Sequence, residues 1–511
     1  MKKNRIAVVV YFMISILVVL LLNSSNWFQK DWDQIDFATV VYQMTTPLNG
    51  TNSEVIKDYC IYVLPRVFLE IILLCFLYDL VKVISNQYYI SICISAKNTN
   101  KNFLIGKKAR KVVLTYCVFT IMCYALLVGK HVKDLGIPEY IKSYFDNSTL
   151  FEEQYVDPAN VQIAFPEKKR NLLCIYLESM ETTYASKDVG GGKSINYIPE
   201  LTKLAEENVN FSNNSGFGGG HPCSLTEWTM AGILGSTAGI PYKIPGNHAS
   251  PVSGVVYLGG VTSLGDILEE NGYTNYFMCG SDVSFAGKDM YLKQHGDYII
   301  DDVNWALNNN LIKNTVFWGY EDETLFKLAK EELTKIATKN ETFNFTMITV
   351  DTHQPSGYFC SLCNNKYSQQ YANVLACSSK QVYDFIMWVQ QQKWYDNTTI
   401  VLLGDHKSMV ADFWDDIGDY DRRTYNCFIN VPENVSLEYI KNRDFTTLDM
   451  FPTILASLGV KIDGEKLGLG TNIFSGKDTL VEQFGYEYVD DEILKYSDFY
   501  NDILLKGNKN K

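Results

Sequence analysis

The sequence predicts an α/β protein with a largely parallel sheet, preceded by a helical transmembrane region. Three observations carry this reading. The chain has 511 residues, more than one ordinary core accommodates. Long uncharged apolar runs are confined to its first 130 residues. After Lys168, short β-prone runs alternate with helical stretches.

The apolar region divides into three candidate spans, about 6–22, 61–84 and 112–128. The first follows Lys2, Lys3 and Arg5 and lacks a small-residue cleavage site, so it reads as an anchor and not a signal peptide. Its seventeen residues are the short end for a spanning helix. The second carries Arg66 and Glu70, four residues apart, a spacing that lets them pair on one helical face inside a bundle. Loop charges set the expected topology. Lys97, Lys101, Lys107, Lys108, Arg110 and Lys111 lie between spans two and three, whereas Asp31, Asp33, Asp36, Glu54 and Asp58 dominate the preceding loop. The positive-inside bias then makes the N-terminus cytoplasmic, and three crossings put everything after residue 130 outside. Tyr88–Ser95 is too short to add a crossing.

Residues 131–165 read as a linker, 166–478 as the catalytic domain and 479–511 as a tail, docked or loose. Within the domain, Leu172–Leu177, Tyr273–Met278, Phe343–Val350 and Thr398–Leu403 read as strands. Thr262–Asn271, Asp322–Thr338 and Tyr371–Gln392 read as helices. A net charge of −13 excludes a nucleic-acid binder, which needs a basic face. Twelve cysteines are too few for a disulfide scaffold. Seven of them fall in the soluble part, so at least one stays unpaired within the chain, and Cys360, Cys363 and Cys377 are the candidates for a bridge.

In parallel sheets chemistry collects at the carboxyl ends of strands. Glu178 follows the first strand, Asp351-Thr352-His353 the third, and Gly404-Asp405-His406 the fourth. A carboxylate at a buried strand tip is either a metal ligand or a partner for backbone donors. The Asp405-His406 pair suits a divalent cation, or equally an Asp capping a helix beside a chance His. The stretch Gly216–Thr229 combines glycines, which let backbone approach an anion, with Ser224 as the cap of a helix expected over Leu225–Leu234. A hydroxyl in that first turn would face the positive end of the helix dipole. The bland alternative is a glycine-rich turn with an ordinary cap.

These motifs resemble the phosphoglycerol transferases of the alkaline phosphatase and sulfatase superfamily, over nearly the whole chain. The resemblance is carried by Thr46–Asn52, Leu177-Glu178-Ser179-Met180-Glu181, Trp228–Gly232 through Gly239-Ile240-Pro241, and Phe285-Ala286-Gly287-Lys288. Asp351-Thr352-His353, Gly404-Asp405-His406 and Asp449–Thr453 complete the order. It implies an α/β/α sandwich with one divalent cation, Mn²⁺ first and Mg²⁺ or Zn²⁺ as alternatives, on Glu178, Thr226, Asp405 and His406. Thr226 is then the nucleophile, His353 a catalytic and substrate-contacting group, and Lys288 and Trp228 further substrate contacts. The implied reaction moves glycerophosphate from phosphatidylglycerol to a glycan or polyol-phosphate acceptor through a phospho-threonine intermediate, at the outer face of a bacterial cell membrane. Leu225 and Glu227 flank Thr226 where the family's glucan-decorating branch has glycines. Cys279 and Ala286 replace a His and a Trp of the lipoteichoic acid synthases. The rivals are a phosphoethanolamine transferase, a sulfatase-like hydrolase and a non-catalytic envelope scaffold. Cys223-Ser224-Leu225-Thr226-Glu227 lacks the Pro and Arg that formylglycine formation in a sulfatase needs.

Overall fold

The computed structural model describes residues 2–31, 37, 40–41, 53–87, 90–96, 99–105, 109–243, 256–410 and 412–507. The motif Thr46–Asn52 and many of the loop charges, among them Asp33, Asp36, Lys97, Lys107 and Lys108, lie outside the described residues. The chain forms two compact units, Met1–Phe37 with Ser53–Glu139, and Ala38–Asn52 with Tyr140–Lys511.

The first unit packs α1 (Lys2–Asp31), α2 (Ser53–Gln87) and α3 (Ala109–Asp134). An antiparallel hairpin, β1 (Ile90–Ala96) and β2 (Thr99–Ile105), joins the last two. Leu17, Phe68 and Leu126 are 57%, 66% and 76% exposed, an apolar outer surface that suits lipid better than water. Among the described residues two helices are long and apolar enough to cross a membrane, Ile6–Lys30 and Lys111–Asp134. Polar side chains tie the helices together where they meet. Asn23 donates to Glu70 at 3.1 Å, and Trp27 Nε1 to Asp58 at 2.8 Å. Glu70 is thus taken up by α1, while Arg66 lies 3.6 Å over the Tyr62 ring and donates to the Tyr62 carbonyl. The Arg66–Glu70 pair expected from spacing gives way to these partners.

The second unit is built on a six-stranded sheet. Its strands are β3 (Asn171–Leu177), β4 (Thr274–Cys279), β5 (Ile299–Asp301), β6 (Phe343–Ile348), β7 (Thr398–Gly404) and β8 (Asn426–Ile429). Their order is β5-β4-β6-β3-β7-β8, parallel except for the antiparallel edge strand β8. β3, β6 and β7 are buried at every position, as sheets covered on both faces require. Alternate β3 side chains enter opposite cores: Leu172, Cys174 and Tyr176 on one face, Leu173, Ile175 and Leu177 on the other. α5 (Thr229–Ala238), α6 (Leu264–Glu270) and α9 (Met450–Ala456) cover the first face; α4 (Pro199–Glu207), α7 (Asp322–Ile336) and α8 (Gln370–Gln390) cover the second. The result is the expected α/β/α sandwich.

The short edge strands β5 and β8 went unread in the sequence. Two segments outside the sheet also join this unit. Ile163–Ala164 pairs antiparallel with Lys461–Ile462. In the last thirty residues α10 (Tyr486–Leu494) and a π-helical turn (Phe499–Leu505) bury Ile493, Tyr500 and Leu504, and Tyr486 stacks on His221 at 4.2 Å.

Candidate active site

Sheet register builds the site. β3 lies between β6 and β7, with Tyr176 beside Ile348 and Leu177 beside Gly404. The first residues beyond these strands therefore emerge side by side at the carboxyl edge. Glu178, Asp405 and His406 each place one ligand atom within 4.8 Å of the others, and all three are buried. His406 Nε2 lies 3.3 Å from Glu178 Oε1 and 3.4 Å from Asp405 Oδ2. His406 Nδ1 donates to the Lys407 carbonyl at 2.7 Å, which leaves Nε2 as the ring nitrogen that faces the two carboxylates. Asp405 Oδ1 accepts from the backbone N–H of Ser179 (2.8 Å) and His406 (2.9 Å), whereas Oδ2 is buried without a hydrogen bond.

Charge at this cluster is unevenly shared. Burial resists ionisation of Glu178, but the fields of His406 and His353 and hydrogen bonds from His406 and Ser179 hold its carboxyl down at about 2. Burial and then the Glu178 charge push Asp405 up to about 7. Burial opposes protonation of His406, yet Asp405 and Glu178 lift it to about 10. A proton on His406 thus does what a cation between two carboxylates would do. Two carboxylates, one imidazole and an orphaned buried oxygen fit a hard or borderline divalent cation.

The hydroxyls are placed differently from the sequence expectation. Ser224 does not cap α5: its N–H and Oγ bind Asp490 at 2.6 and 2.8 Å, and α5 begins only at Thr229, with Trp228 as its extended N-cap. Leu225 takes a left-handed φ of 62°, and Thr226 N–H closes a turn onto the Cys223 carbonyl. Thr226 is fully buried, and its Oγ1 donates to that same carbonyl at 2.7 Å and not to the cluster. Thr229 Oγ1, half-buried at the helix N-terminus, is the hydroxyl that reaches the carboxylates, donating to Glu178 Oε2 at 3.2 Å.

His353 stands half-buried with Nδ1 donating to the Gln354 carbonyl at 3.0 Å. Burial depresses its imidazole below the usual value, so it is neutral at pH 7. Lys288 is 4% exposed, donates to the Phe285 carbonyl at 2.9 Å, and is likewise depressed by burial. Glu178 acts electrostatically on both groups. Trp228, expected to contact substrate, is 7% exposed and packs edge-on against Tyr242 in the core.

Two residues of the Leu177–Glu181 motif take supporting roles that the sequence does not assign. Ser179, left-handed at φ 54°, donates through Oγ to Glu178 Oε1 at 2.8 Å. Glu181 is fully buried, held by Arg422 at 2.6 and 3.1 Å and by Ser408 N–H at 2.7 Å. Only the left-handed residue after a strand tip, invisible in sequence, brings Ser179 back onto its neighbour.

The family profile described as Sulfatase matches residues 170–460, which hold every residue of the cluster. Phosphoglycerol transferase I of Salmonella choleraesuis (strain SC-B67) is 32% identical over 356 residues, 67% of this chain and 43% of that protein. Its counterpart from Salmonella typhi is 31% identical over the same length and coverage. The chain spans less than half the length of these curated relatives. Among solved structures, a protein of the alkaline phosphatase superfamily from Vibrio parahaemolyticus superposes with TM-score 0.46 at 18% identity, covering 66% of this chain and 77% of that one. A lipoteichoic acid synthase from Listeria monocytogenes gives TM-score 0.46 at 19% identity over 62% and 79% of the two chains.

Proposed function

This chain belongs to the sulfatase family, and on that premise we propose that it is a membrane-anchored phosphoglycerol transferase. Its donor is phosphatidylglycerol and its acceptor a hydroxyl of an envelope glycan or polyol-phosphate polymer. The observation that carries this is the buried Glu178–Asp405–His406 cluster at adjacent strand ends, in a chain whose curated relatives bear the name phosphoglycerol transferase I. Residues 1–130 cross the membrane three times in this reading, and residues 166–478 form the catalytic domain outside, where a lipid donor that never leaves the bilayer meets its acceptor.

Glu178, Asp405 and His406, joined by a threonine hydroxyl, would hold one divalent cation, Mn²⁺ by family resemblance, which supplies Lewis-acid polarisation of the phosphate oxygens. Thr226 Oγ1 forms the new bond to phosphorus as the bond to the diacylglycerol oxygen breaks. The threonine proton passes to solvent, and His353, whose Nδ1 donates to Gln354, delivers a proton from Nε2 to the departing diacylglycerol oxygen or holds a phosphate oxygen. Lys288 supplies positive charge near the phosphate. The acceptor hydroxyl then attacks the glycerophospho-threonine, and the same proton path runs in reverse. Thr226 must first turn its hydroxyl away from Cys223. A second reading makes Thr229 the nucleophile, favoured by its existing contact with Glu178.

The test is incubation of purified full-length protein with labelled phosphatidylglycerol and Mn²⁺, followed by product and peptide mass spectrometry. Diacylglycerol release with an adduct mapped to Thr226, both lost in Thr226→Ala, is the expected result. An adduct on Thr229 selects the second reading. No release of diacylglycerol overturns the activity.

A further inference from the structure

The loop that follows β6 carries, beyond His353, two cysteines that meet a third on α8. Cys360 Sγ lies 3.6 Å from Cys363 Sγ and 3.7 Å from Cys377 Sγ. All three sulfurs fall within 4.8 Å of one another. Sulfurs bound at about 2.3 Å around one tetrahedral ion stand roughly 3.8 Å apart. The spacing is therefore that of ligands sharing a centre, with Cys360 common to both close contacts. A single disulfide would leave the third thiol facing a bridge it cannot join.

Surroundings favour the same reading. Cys360 and Cys377 are 4% and 9% exposed, so two of the three sulfurs are shut away from bulk water. Gln381, one turn beyond Cys377 on α8, aims its side-chain N–H at Cys377 Sγ (3.3 Å) and Cys360 Sγ (3.8 Å). An amide donor directed at two sulfurs stabilises them as thiolates and fixes their orientation, as outer-sphere donors do at metal sites. Cys360 and Cys363 bracket a tight turn, with Cys363 N–H on the Cys360 carbonyl at 3.2 Å, the two-residue spacing that lets both sulfurs face one point. Cys363 is half-buried at the surface end of the cluster.

We propose that Cys360, Cys363 and Cys377 form a second, thiolate metal site that takes one divalent cation of the zinc class. Binding releases the protons still held by the thiols, and no oxidant is needed. The site is separate from the Glu178 cluster in chemistry as well as position, since three sulfurs select a softer ion than carboxylate and imidazole. Its consequence is mechanical. The loop from Asp351 to Cys363 folds back on itself, with Gly357 N–H on the His353 carbonyl at 3.0 Å and Tyr358 N–H on the Asp351 carbonyl at 2.7 Å. An ion shared with Cys377 fastens the far end of this loop to α8 and so steadies His353.

The experiment is cobalt substitution of the full-length protein after chelator stripping. Thiolate-to-cobalt charge-transfer absorption should appear at one equivalent and vanish in Cys363→Ser and in Cys377→Ser. It should persist in Glu178→Gln, where loss of the first site would leave sulfur coordination intact. In parallel, zinc should protect all three cysteines of the wild-type chain from alkylation in peptide maps, a readout that needs no variant to fold. Absence of the band together with zinc-independent alkylation, or a Cys360-containing disulfide in the unreduced protein, would overturn the site.

Discussion

Replacing Gly232 by alanine adds one methyl group where the backbone of a proposed metal ligand already lies. A Cβ at this position would stand 2.1 Å from the Asp405 carbonyl oxygen and 3.0 Å from its carbonyl carbon. Neither atom belongs to a side chain that can swing away, so α5 and the end of β7 must part by roughly 1 Å to restore ordinary contact. Alanine's better helix propensity returns about 1 kcal/mol, against about 1–3 kcal/mol for overpacking. The melting temperature should therefore fall only slightly. The site pays more. Asp405 Oδ1 is held by Ser179 and His406 N–H groups at 2.8 and 2.9 Å, and Thr229 on α5 reaches Glu178 at 3.2 Å. A 1 Å displacement across this contact breaks one set or the other, and misplacement on that scale costs about 100-fold in rate. Mn²⁺ titration calorimetry and phosphatidylglycerol turnover should both show a loss of that order. Gly216→Ala is the control, because its Cβ meets nothing nearer than the Asn214 side-chain oxygen, at 3.5 Å. Unchanged Mn²⁺ affinity and turnover in Gly232→Ala would refute the claim that close approach of α5 sets the position of Asp405.

Removing Arg422 strands the fully buried Glu181 carboxylate, which keeps only Ser408 N–H and Thr183 as donors. Arg422→Ala should cost about 3–5 kcal/mol, read as a large drop in thermal-shift midpoint, and Glu181→Gln with Arg422→Met should recover most of it. Burial, followed by Glu332, raises the Asp301 carboxyl to about 7, above the roughly 3.9 of an unfolded chain. A raised carboxyl lowers stability as pH climbs from about 4 to about 7. Asp301→Asn should thus raise the melting temperature at pH 8 and leave it unchanged at pH 4, and equal effects at both would contradict the shift. Because His406 is lifted to about 10 and must lose its proton to coordinate, Mn²⁺ affinity measured by calorimetry should rise steadily from pH 6 to pH 9.

What could be read from residues alone follows a physical line. β3, β6 and β7 are mostly apolar, β-prone runs buried on both faces, so composition announces them, and Glu178, Asp351 and Asp405 follow where the runs end. β5 and β8 were not legible, since edge strands of three and four residues take their order from a neighbour's hydrogen bonds. Ser224 looked like a helix cap because capping chemistry is local, but its hydroxyl is claimed by Asp490, 266 positions away in sequence.

Sequence by itself determined the α/β alternation, the apolar anchor region and the acidic and imidazole groups at the strand tips, all of which depend on side-chain type and period. Only tertiary structure decided that Glu178 and Asp405 are neighbours, because that adjacency comes from β3 pairing with β7 across more than two hundred residues. It also decided that Thr229 and not Thr226 touches Glu178. That choice turns on the left-handed turn at Leu225, whose conformation non-glycine residues adopt only when surrounding packing compels it.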